Sequence, residues 1–214
     1  GKENCTTVRN FCNYNFFKPY VNSGYRNLTN LFYIGIVLEN RGILEIAKSV
    51  YLQKQIGRTV IFHCVGELYS DLDHKIKTLP FYSEISNQLV FHGRLPLDEG
   101  YALSVNMGIG LCIIHPMKNS IESYPTKLFE YMASGLPVII SDFDLYKSVV
   151  ETSGCGICVD PLNPIAISNA ITYLNEHPEE ALKMGMKGRI AAEEYYNWDQ
   201  EKVRLLSLYE KLST

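Results

Sequence analysis

Residues 122–141 read ESYPTKLFEYMASGLPVIIS, the pattern of a helix, a turn and a strand in succession. Proline is tolerated only in the first turn of a helix, so Pro125 predicts a helix that begins near Tyr124 with Ser123 as its cap. The helix is predicted to stop at Gly135, and the apolar run that follows predicts a buried strand. Four apolar positions form the predicted buried face of the helix: Leu128, Phe129, Met132 and Ala133.

The rest of the chain alternates in the same way between short apolar runs and segments of helical period. The predicted strands are residues 31–37, 59–65, 88–92, 108–114, 138–141 and 156–159. The predicted helices are residues 41–55, 72–79, 96–105, 125–134 and 144–150, and three more that begin near Pro164, Pro178 and Trp198. The strand segments are almost continuously apolar, which is typical of a parallel sheet covered on both faces. The sequence therefore predicts a doubly wound, Rossmann-like α/β fold.

Composition and charge argue against several classes of protein. The chain has 214 residues, of which 46% are hydrophobic and 20% are charged, enough for a substantial core. A net charge of −3 gives no basis for nucleic-acid binding, which normally uses a clearly basic face. No apolar run approaches the roughly 20 residues of a membrane span, and no signal-peptide pattern opens the chain. We therefore expect a cytoplasmic protein, with peripheral contact at the inner membrane face left open.

The two ends of the chain depart from the alternating pattern. Residues 1–25 are rich in Asn, Tyr and Phe without a helical period, and they are predicted to form one strand and a linker. Residues 26–195 are predicted to form the α/β domain. Residues 196–214 contain the last predicted helix, which has more apolar positions than a solvated tail needs. We infer that both ends pack against a further part of a larger protein.

The sequence Cys155-Gly-Ile-Cys158 has the spacing of a redox pair or of half a zinc site. A second pair with this spacing does not occur in the sequence, and this one lies where a glycine-containing turn enters a predicted strand. A structural role is therefore favoured over redox or metal chemistry.

Ligands of open α/β sheets bind where the carboxyl ends of the strands meet loops and helix N-termini. Arg41 starts a helix after the first predicted strand, and its guanidinium suits a phosphate, although a solvated helix end is an equal alternative. The backbone of Gly93, Arg94 and Leu95 follows the third predicted strand and suits the edge of a nucleobase, which by itself is a weak signal.

Lys127 and Glu130 lie on the side of the central helix opposite its apolar face. One interpretation is a solvated ion pair that contributes a few tenths of a kcal/mol. The other is a carboxylate at the ligand crevice, where ribose hydroxyls would donate charge-assisted hydrogen bonds of about 1.5–3 kcal/mol each. The position of the helix at the strand-end edge favours the second interpretation.

The central segment, with seven residues between Glu122 and Glu130, resembles the E-x7-E signature of retaining glycosyltransferases of GT-B architecture, family 4 or group 1. It is similar in particular to capsule and O-antigen sugar transferases. The resemblance covers about residues 28–212 and includes the segments LFYIGIVLENRGILEIAKS, HCVG, LVFHGRLP, GCGICVDPLNPIAISNAI and YYNWDQEKVRLLSLYEKL. It matches only the second, donor-binding half of such enzymes. The acceptor-binding N-terminal domain is therefore expected to be missing from this chain.

The resemblance implies roles for the matching residues. Glu130 would hold the ribose hydroxyls of a UDP- or GDP-sugar, whereas Glu122 would face the donor sugar and Arg41 the diphosphate. Backbone contacts to the sugar and diphosphate would come from Ser123, Tyr124, Pro125 and Thr126, and contacts to the base from Gly93, Arg94 and Leu95.

One departure from the family pattern concerns the diphosphate. Many members carry an Arg directly after the glycine of the first strand region, whereas this chain has Ile36 after Gly35. We hypothesise that Lys127 or Lys118 supplies the missing charge. The predicted catalytic residues are Glu122, Arg41 and Lys127.

The implied activity is the transfer of a sugar from a nucleoside diphosphate sugar to a saccharide or lipid-linked acceptor, with retention, in polysaccharide or lipopolysaccharide synthesis. Neither a cofactor nor a metal is expected, because cations and backbone donors stabilise the departing diphosphate in this architecture. The isolated domain is expected to be inactive alone. Two alternatives stay open: a nucleotide-sugar epimerase of similar architecture, and a module that binds a nucleotide sugar without turnover.

Overall fold

The computed structural model describes residues 6–21, 24 and 26–212, which fold around a six-stranded parallel sheet. The strands are β1 Asn30–Ile34, β2 Ile61–Val65, β3 Leu89–Phe91, β4 Ile109–Cys112, β5 Val138–Ser141 and β6 Gly156–Val159. They lie in the order β3-β2-β1-β4-β5-β6, and each neighbouring pair is parallel. The predicted doubly wound α/β fold is confirmed.

Helices connect the strands and cover both faces of the sheet. They are α1 Tyr14–Phe17, α2 Ile43–Gln55, α3 Ser70–Lys77, α4 Tyr82–Ile85, α5 Leu97–Ser104, α6 Lys118–Ile121, α7 Thr126–Ala133, α8 Asp144–Ser153, α9 Pro164–Glu176, α10 Pro178–Glu194 and α11 Trp198–Leu212. Short 3-10 helices occur at Lys18–Tyr20, Glu39–Arg41 and Ser86–Gln88. The predicted helix starts at Pro164, Pro178 and Trp198 are confirmed.

Successive side chains of a strand point to opposite faces of the sheet, and this gives the molecule two hydrophobic cores. On β1, Phe32 and Ile34 pack in the core that also contains side chains of α5, α7 and α8. Leu31 and Tyr33 pack in the other core, with side chains of α2, α3 and α9. Each fully buried aliphatic or aromatic side chain of these strands contributes about 1.5–3 kcal/mol relative to exposure.

Several strands are shorter than the apolar runs that predicted them. β1 ends at Ile34 because Gly35 takes a φ of 136°, a conformation that L side chains rarely adopt. β4 ends at Cys112, although Ile113 and Ile114 remain buried beyond it. Burial therefore continues past the hydrogen-bonded ladder, which is why hydrophobicity alone places these boundaries too late.

Helix α7 begins later than the sequence pattern predicts. Tyr124 precedes a proline and is therefore pushed out of the helical region, and Pro125 occupies the N-cap position in an extended conformation. The prediction that Ser123 caps this helix is wrong, because the N-cap position falls on Pro125, two residues later, and no side chain accepts a capping hydrogen bond there. The Ser123 hydroxyl instead donates a 2.5 Å hydrogen bond to the backbone oxygen of Asn119. The predicted stop is confirmed: Gly135 has a φ of 69° and its amide donates to the carbonyl of residue 132 at 2.9 Å.

The described part of residues 1–25 does not form the predicted strand. It forms helix α1 and a 3-10 turn, and its pairing with a distant segment is limited to the isolated bridge between Cys12 and Asn197. Four of its side chains are buried in the core beside α7: Phe11, Cys12, Tyr14 and Phe17. Its aromatic residues are buried against elements that are distant in the sequence. Such contacts produce no local hydrophobic period from which the segment could have been predicted. Residues 1–5, 22, 23 and 25 of the predicted linker lie outside the described residues.

Helix α11 exposes much of its apolar surface. Val203 is 65% exposed, Leu206 50% and Tyr209 60%. The idea that this helix packs toward a further domain stays a prediction, and residues 213–214 lie outside the described part. Among the helices described here, none combines the length and apolar character needed to cross a lipid bilayer.

Candidate functional site

The strand order reverses between β1 and β4, and the carboxyl ends of these two strands open a crevice at that point. The segment after β1 lies on one side of the crevice. Helix α7, which follows β4 and α6, lies on the other side. The two are in contact: a Cβ atom built on Gly35 would lie 2.5 Å from Nζ of Lys127.

The carboxylate of Glu130 is partly buried on α7. Its Oε2 accepts a 2.7 Å hydrogen bond from the hydroxyl of Tyr101, which is fully buried on α5. Burial raises the pKa of Glu130, while the Tyr101 hydrogen bond and the nearby Lys127 ammonium act in the opposite direction. Tyr101 therefore fixes the orientation of the carboxylate through one of its two oxygens.

The ammonium of Lys127 lies one helical turn from Glu130 and close to the backbone after β1. Its Nζ is 5.3 Å from the ring centroid of Tyr33, a cation–π distance. Burial lowers the pKa of Lys127, and the like charge of Arg41 lowers it further, while Glu130 opposes this effect. The solvated ion pair considered from the sequence does not describe Lys127, because its environment is half-buried and shared with a second cation.

Arg41 ends the 3-10 helix Glu39–Arg41, and Gly42 then turns the chain into α2 with a φ of 68°. Within the described part of the molecule, Nε of Arg41 is buried and has no hydrogen-bond partner. Arg41 places a positive charge directly before the first turn of α2, and its charge acts on the nearby Lys127 ammonium. Like charges in this arrangement favour an anion between them, and a helix N-terminus adds to that preference.

Gly35 and Gly66 allow the loops after β1 and β2 to approach each other closely. Gly66 has a φ of 153°, and a Cβ on it would lie 2.0 Å from the carbonyl oxygen of Gly35. Gly35 also contacts the Lys127 ammonium. Gly35 therefore joins the cationic site to the neighbouring cleft.

This cleft has a volume of about 380 Å³ and opens between the loops that follow β1, β2 and β3. Its described lining residues are Ile34, Gly35, Ile36, Val65, Gly66, Glu67, Tyr69, Arg94, Leu95 and Leu97. Arg94 and Leu95 thus line this cleft, and Gly93 precedes them and accepts a 2.8 Å hydrogen bond from the amide of Gly66. The assignment of these three residues to a base stays a prediction.

The loop between α6 and α7 carries the other predicted residues. Glu122 is exposed at the end of the short helix α6, and Thr126 is the first residue of α7. The ring of Tyr124 packs between Phe11 and Phe129, at centroid distances of 6.2 and 5.7 Å. Lys118, the alternative diphosphate cation, is exposed in α6. The structure thus brings Lys127, not Lys118, to the backbone beside Ile36.

Sequence reasoning missed Tyr101 and Glu67. The hydrogen bond between Tyr101 and Glu130 joins residues of two different helices, and no sequence spacing predicts it. Glu67 follows the glycine that ends the second strand region, so its place among the strand-end loops was the signal that could have found it.

Cys155 directly precedes β6 and Cys158 lies within it, at the edge of the sheet away from β1. Cys155 is fully buried, and both residues are free thiols. Burial raises the pKa of each thiol to about 11, which leaves little reactive thiolate near neutral pH. This environment supports the structural role favoured from the sequence.

A family model described as "Glycosyl transferases group 1" matches residues 27–191, which include the crevice and the cleft. The chain belongs to the group 1 glycosyltransferase family. The MMP alpha-(1->4)-mannosyltransferase of Mycolicibacterium hassiacum is 29% identical over 91 residues, which are 42% of this chain and 22% of that protein. The D-rhamnosyltransferase WbpZ of Pseudomonas aeruginosa is 29% identical over 96 residues, 44% of this chain and 24% of that protein.

Solved structures of glycosyltransferases share the fold. A glycosyltransferase from Rickettsia africae superposes with a TM-score of 0.79 at 16% identity, over 98% of this chain and 57% of that chain. The C-terminal domain of the group 1 protein LpcC from Francisella tularensis gives a TM-score of 0.67 at 16% identity, over 86% of this chain and 98% of that domain. Anabaena Alr3699/HepE, solved in complex with UDP, gives a TM-score of 0.76 at 12% identity, over 96% of this chain and 57% of that chain. This group 1 chain therefore spans little more than half the length of the longer structures.

Proposed function

We propose that this chain is the donor-binding domain of a retaining glycosyltransferase that acts in cell-surface polysaccharide or lipopolysaccharide synthesis. The observation that carries the proposal is the grouping of Glu130, Lys127 and Arg41 at the crevice between β1 and β4. A carboxylate for hydroxyl groups and two cations for phosphates, side by side, match the polar groups of a nucleoside diphosphate sugar.

Glu130 binds the ribose in this proposal. Oε2 accepts from Tyr101, so the carboxylate keeps further acceptor capacity for ribose hydroxyls. Burial raises the pKa of the group, but a bound ribose would donate to the charged form and favour it.

The diphosphate lies between Lys127, Arg41 and the first turn of α2. As the bond to the sugar breaks, negative charge develops on the phosphate oxygen that was bonded to the anomeric carbon, and the two cations stabilise that charge. Lys127 takes the role of the absent Arg at the position of Ile36. The backbone of residues 123–126 and the side chain of Glu122 face the diphosphate and the sugar.

The reaction breaks the bond between the anomeric carbon and the diphosphate oxygen, and forms a bond from the same carbon to the acceptor hydroxyl oxygen. The acceptor proton passes to the departing diphosphate. Attack from the face that the diphosphate leaves retains the anomeric configuration. No cofactor takes part in this scheme.

A saccharide or lipid-linked acceptor is bound by a second, N-terminal domain in this proposal, so turnover requires that domain. A lipid-linked acceptor would bring the enzyme to the cytoplasmic face of the membrane.

The test begins with calorimetric titration of the 214-residue chain with GDP, UDP and their sugars, using Glu130→Gln as the site variant. Tight binding that Glu130→Gln weakens supports the proposal, and no binding by any nucleotide contradicts it. Turnover is then measured on a longer parent chain with saccharide acceptors. Release of a glycoside with the donor's anomeric configuration in the NMR spectrum supports a retaining transferase. An epimerised donor sugar formed without acceptor, or binding without any turnover, would establish one of the two alternatives instead.

A further inference from the structure

The cleft beside β1, β2 and β3 contains the carboxylate of Glu67, which forms no ion pair with another residue that the structure describes. This residue is exposed, and its Oε2 accepts a long, 3.4 Å hydrogen bond from the Tyr69 hydroxyl. The ion pairs within the described ranges include neither Glu67 nor Arg94. The two charged side chains therefore line the same cleft without neutralising each other.

Apolar surface surrounds these two charges. Val65 and Ile34 form part of the inner wall, and three large side chains at the cleft are notably exposed: Ile36, Tyr69 and Leu97. Such surfaces suit the faces of a flat aromatic ring, whose edge then meets the polar groups. A nucleobase has this combination of apolar faces and a polar edge.

The carboxylate discriminates among bases by its hydrogen-bonding capacity. An ionised carboxylate only accepts, and its two oxygens can accept from two adjacent N–H groups. Guanine offers that pair, N1–H and the N2 amino group. Uracil instead presents N3–H between two carbonyl oxygens, which a carboxylate repels. Adenine and cytosine each present an amino group beside a ring nitrogen that is itself an acceptor.

We propose that the donor is a guanosine diphosphate sugar and that Glu67 selects its base by accepting from N1–H and N2–H. This inference rests on the proposed function, because it assigns the base of the same donor. The Arg94 guanidinium complements the guanine O6 and N7 acceptors. Gly35 borders both the cleft and Lys127, so a base in the cleft has its diphosphate directed toward the cationic site.

The test compares GDP, UDP and inosine diphosphate by calorimetric titration of the full chain. Inosine diphosphate differs from GDP only by the missing N2 amino group. We expect GDP to bind about tenfold more tightly than UDP, and inosine diphosphate to bind several-fold more weakly than GDP. In Glu67→Gln, GDP should bind more weakly and UDP more tightly, so that the two affinities become similar. Glu194→Gln, an exposed substitution on α10 outside the cleft, should preserve the wild-type ratios.

Two results overturn the inference while leaving the proposed function intact: UDP that binds as tightly as GDP, or inosine diphosphate that binds as tightly as GDP. Both are measured on the wild-type chain, so they do not depend on the folding of Glu67→Gln. Failure of every nucleoside diphosphate to bind would instead overturn the proposed function, and this inference with it.

Discussion

The hydroxyl of Tyr101 donates a 2.7 Å hydrogen bond to Oε2 of Glu130, and this bond joins α5 to α7 beside the crevice. Tyr101 is fully buried and packs against Phe17 and Phe32, at centroid distances of 4.7 and 6.1 Å. Phe17, in the segment before the sheet, therefore helps to hold Tyr101 in place, and Tyr101 in turn orients the Glu130 carboxylate. Tyr101, which precedes Glu130 by 29 residues in the sequence, thus orients the predicted ribose-binding carboxylate.

Glu130→Gln should weaken nucleoside diphosphate binding by about 10- to 100-fold, because it replaces charge-assisted hydrogen bonds by neutral ones. Tyr101→Phe should produce a smaller loss, since the carboxylate remains but loses its orienting donor. Tyr14→Phe is the matched control: Tyr14 is buried and donates to Glu193 at 2.9 Å, a carboxylate outside the site. Calorimetric affinities check the series. Equal losses for Tyr101→Phe and Tyr14→Phe would assign the Tyr101 effect to general stability.

The raised pKa of Glu130 predicts a pH-dependent effect on stability. The folded state holds this proton more tightly than the unfolded state, whose reference pKa is 4.5, so the contribution of Glu130 to stability falls as pH rises through the interval above that value. Glu130→Gln removes the titration. The variant should therefore gain stability relative to the wild type as pH rises from 4.5 to neutrality. Urea denaturation at both ends of this interval measures the gain, and a difference that shrinks with pH would contradict the sign.

Lys127→Met should reduce the affinity for a nucleoside diphosphate by about tenfold and leave the affinity for the nucleoside unchanged, because the ammonium acts on the diphosphate. The same variant should unfold at an equal or higher temperature, since a partly buried cation with a lowered pKa is replaced by an apolar side chain. Lys118→Met, an exposed change in α6, is the control and tests the alternative cation. Two results would contradict the assignment of Lys127 to the diphosphate. One is a larger loss of diphosphate affinity in Lys118→Met than in Lys127→Met. The other is a loss of nucleoside affinity in Lys127→Met as large as its loss of nucleoside diphosphate affinity.

Particular residues show how far sequence reasoning reaches. The α/β alternation and the helix stop at Gly135 follow from local chemistry, because apolar periods and a positive φ are encoded by neighbouring residues. The cap assigned to Ser123 was wrong because the helix starts at Thr126, which leaves Ser123 two residues before the N-cap position and beside a short helix, α6, that the pattern did not predict. The pairing of Tyr101 with Glu130 depends on how two helices pack on the sheet, which no local period encodes.

The contact between Gly35 and Lys127 predicts the effect of adding one methyl group. Gly35→Ala places a Cβ 2.5 Å from Nζ of Lys127 at a φ of 136°, so the substitution both strains the backbone and displaces the ammonium. Gly57→Ala is the matched control, because Gly57 has a φ of 77° with open space around its Cβ position. We expect Gly57→Ala to cost about 1–2 kcal/mol of stability and to leave nucleotide affinity unchanged.

Gly35→Ala should cost more stability than Gly57→Ala and also weaken diphosphate binding several-fold, because its methyl group moves the Lys127 ammonium. In the double variant that adds Lys127→Met, the flexible thioether carries no charge to displace, so the binding loss from Gly35→Ala should largely disappear. Thermal unfolding and titration of the wild type, the two single variants and the double variant measure both effects. If Gly35→Ala weakens diphosphate binding as much in the Lys127→Met background as in the wild-type background, the glycine acts on the ligand through the backbone alone, and its proposed link to Lys127 is wrong.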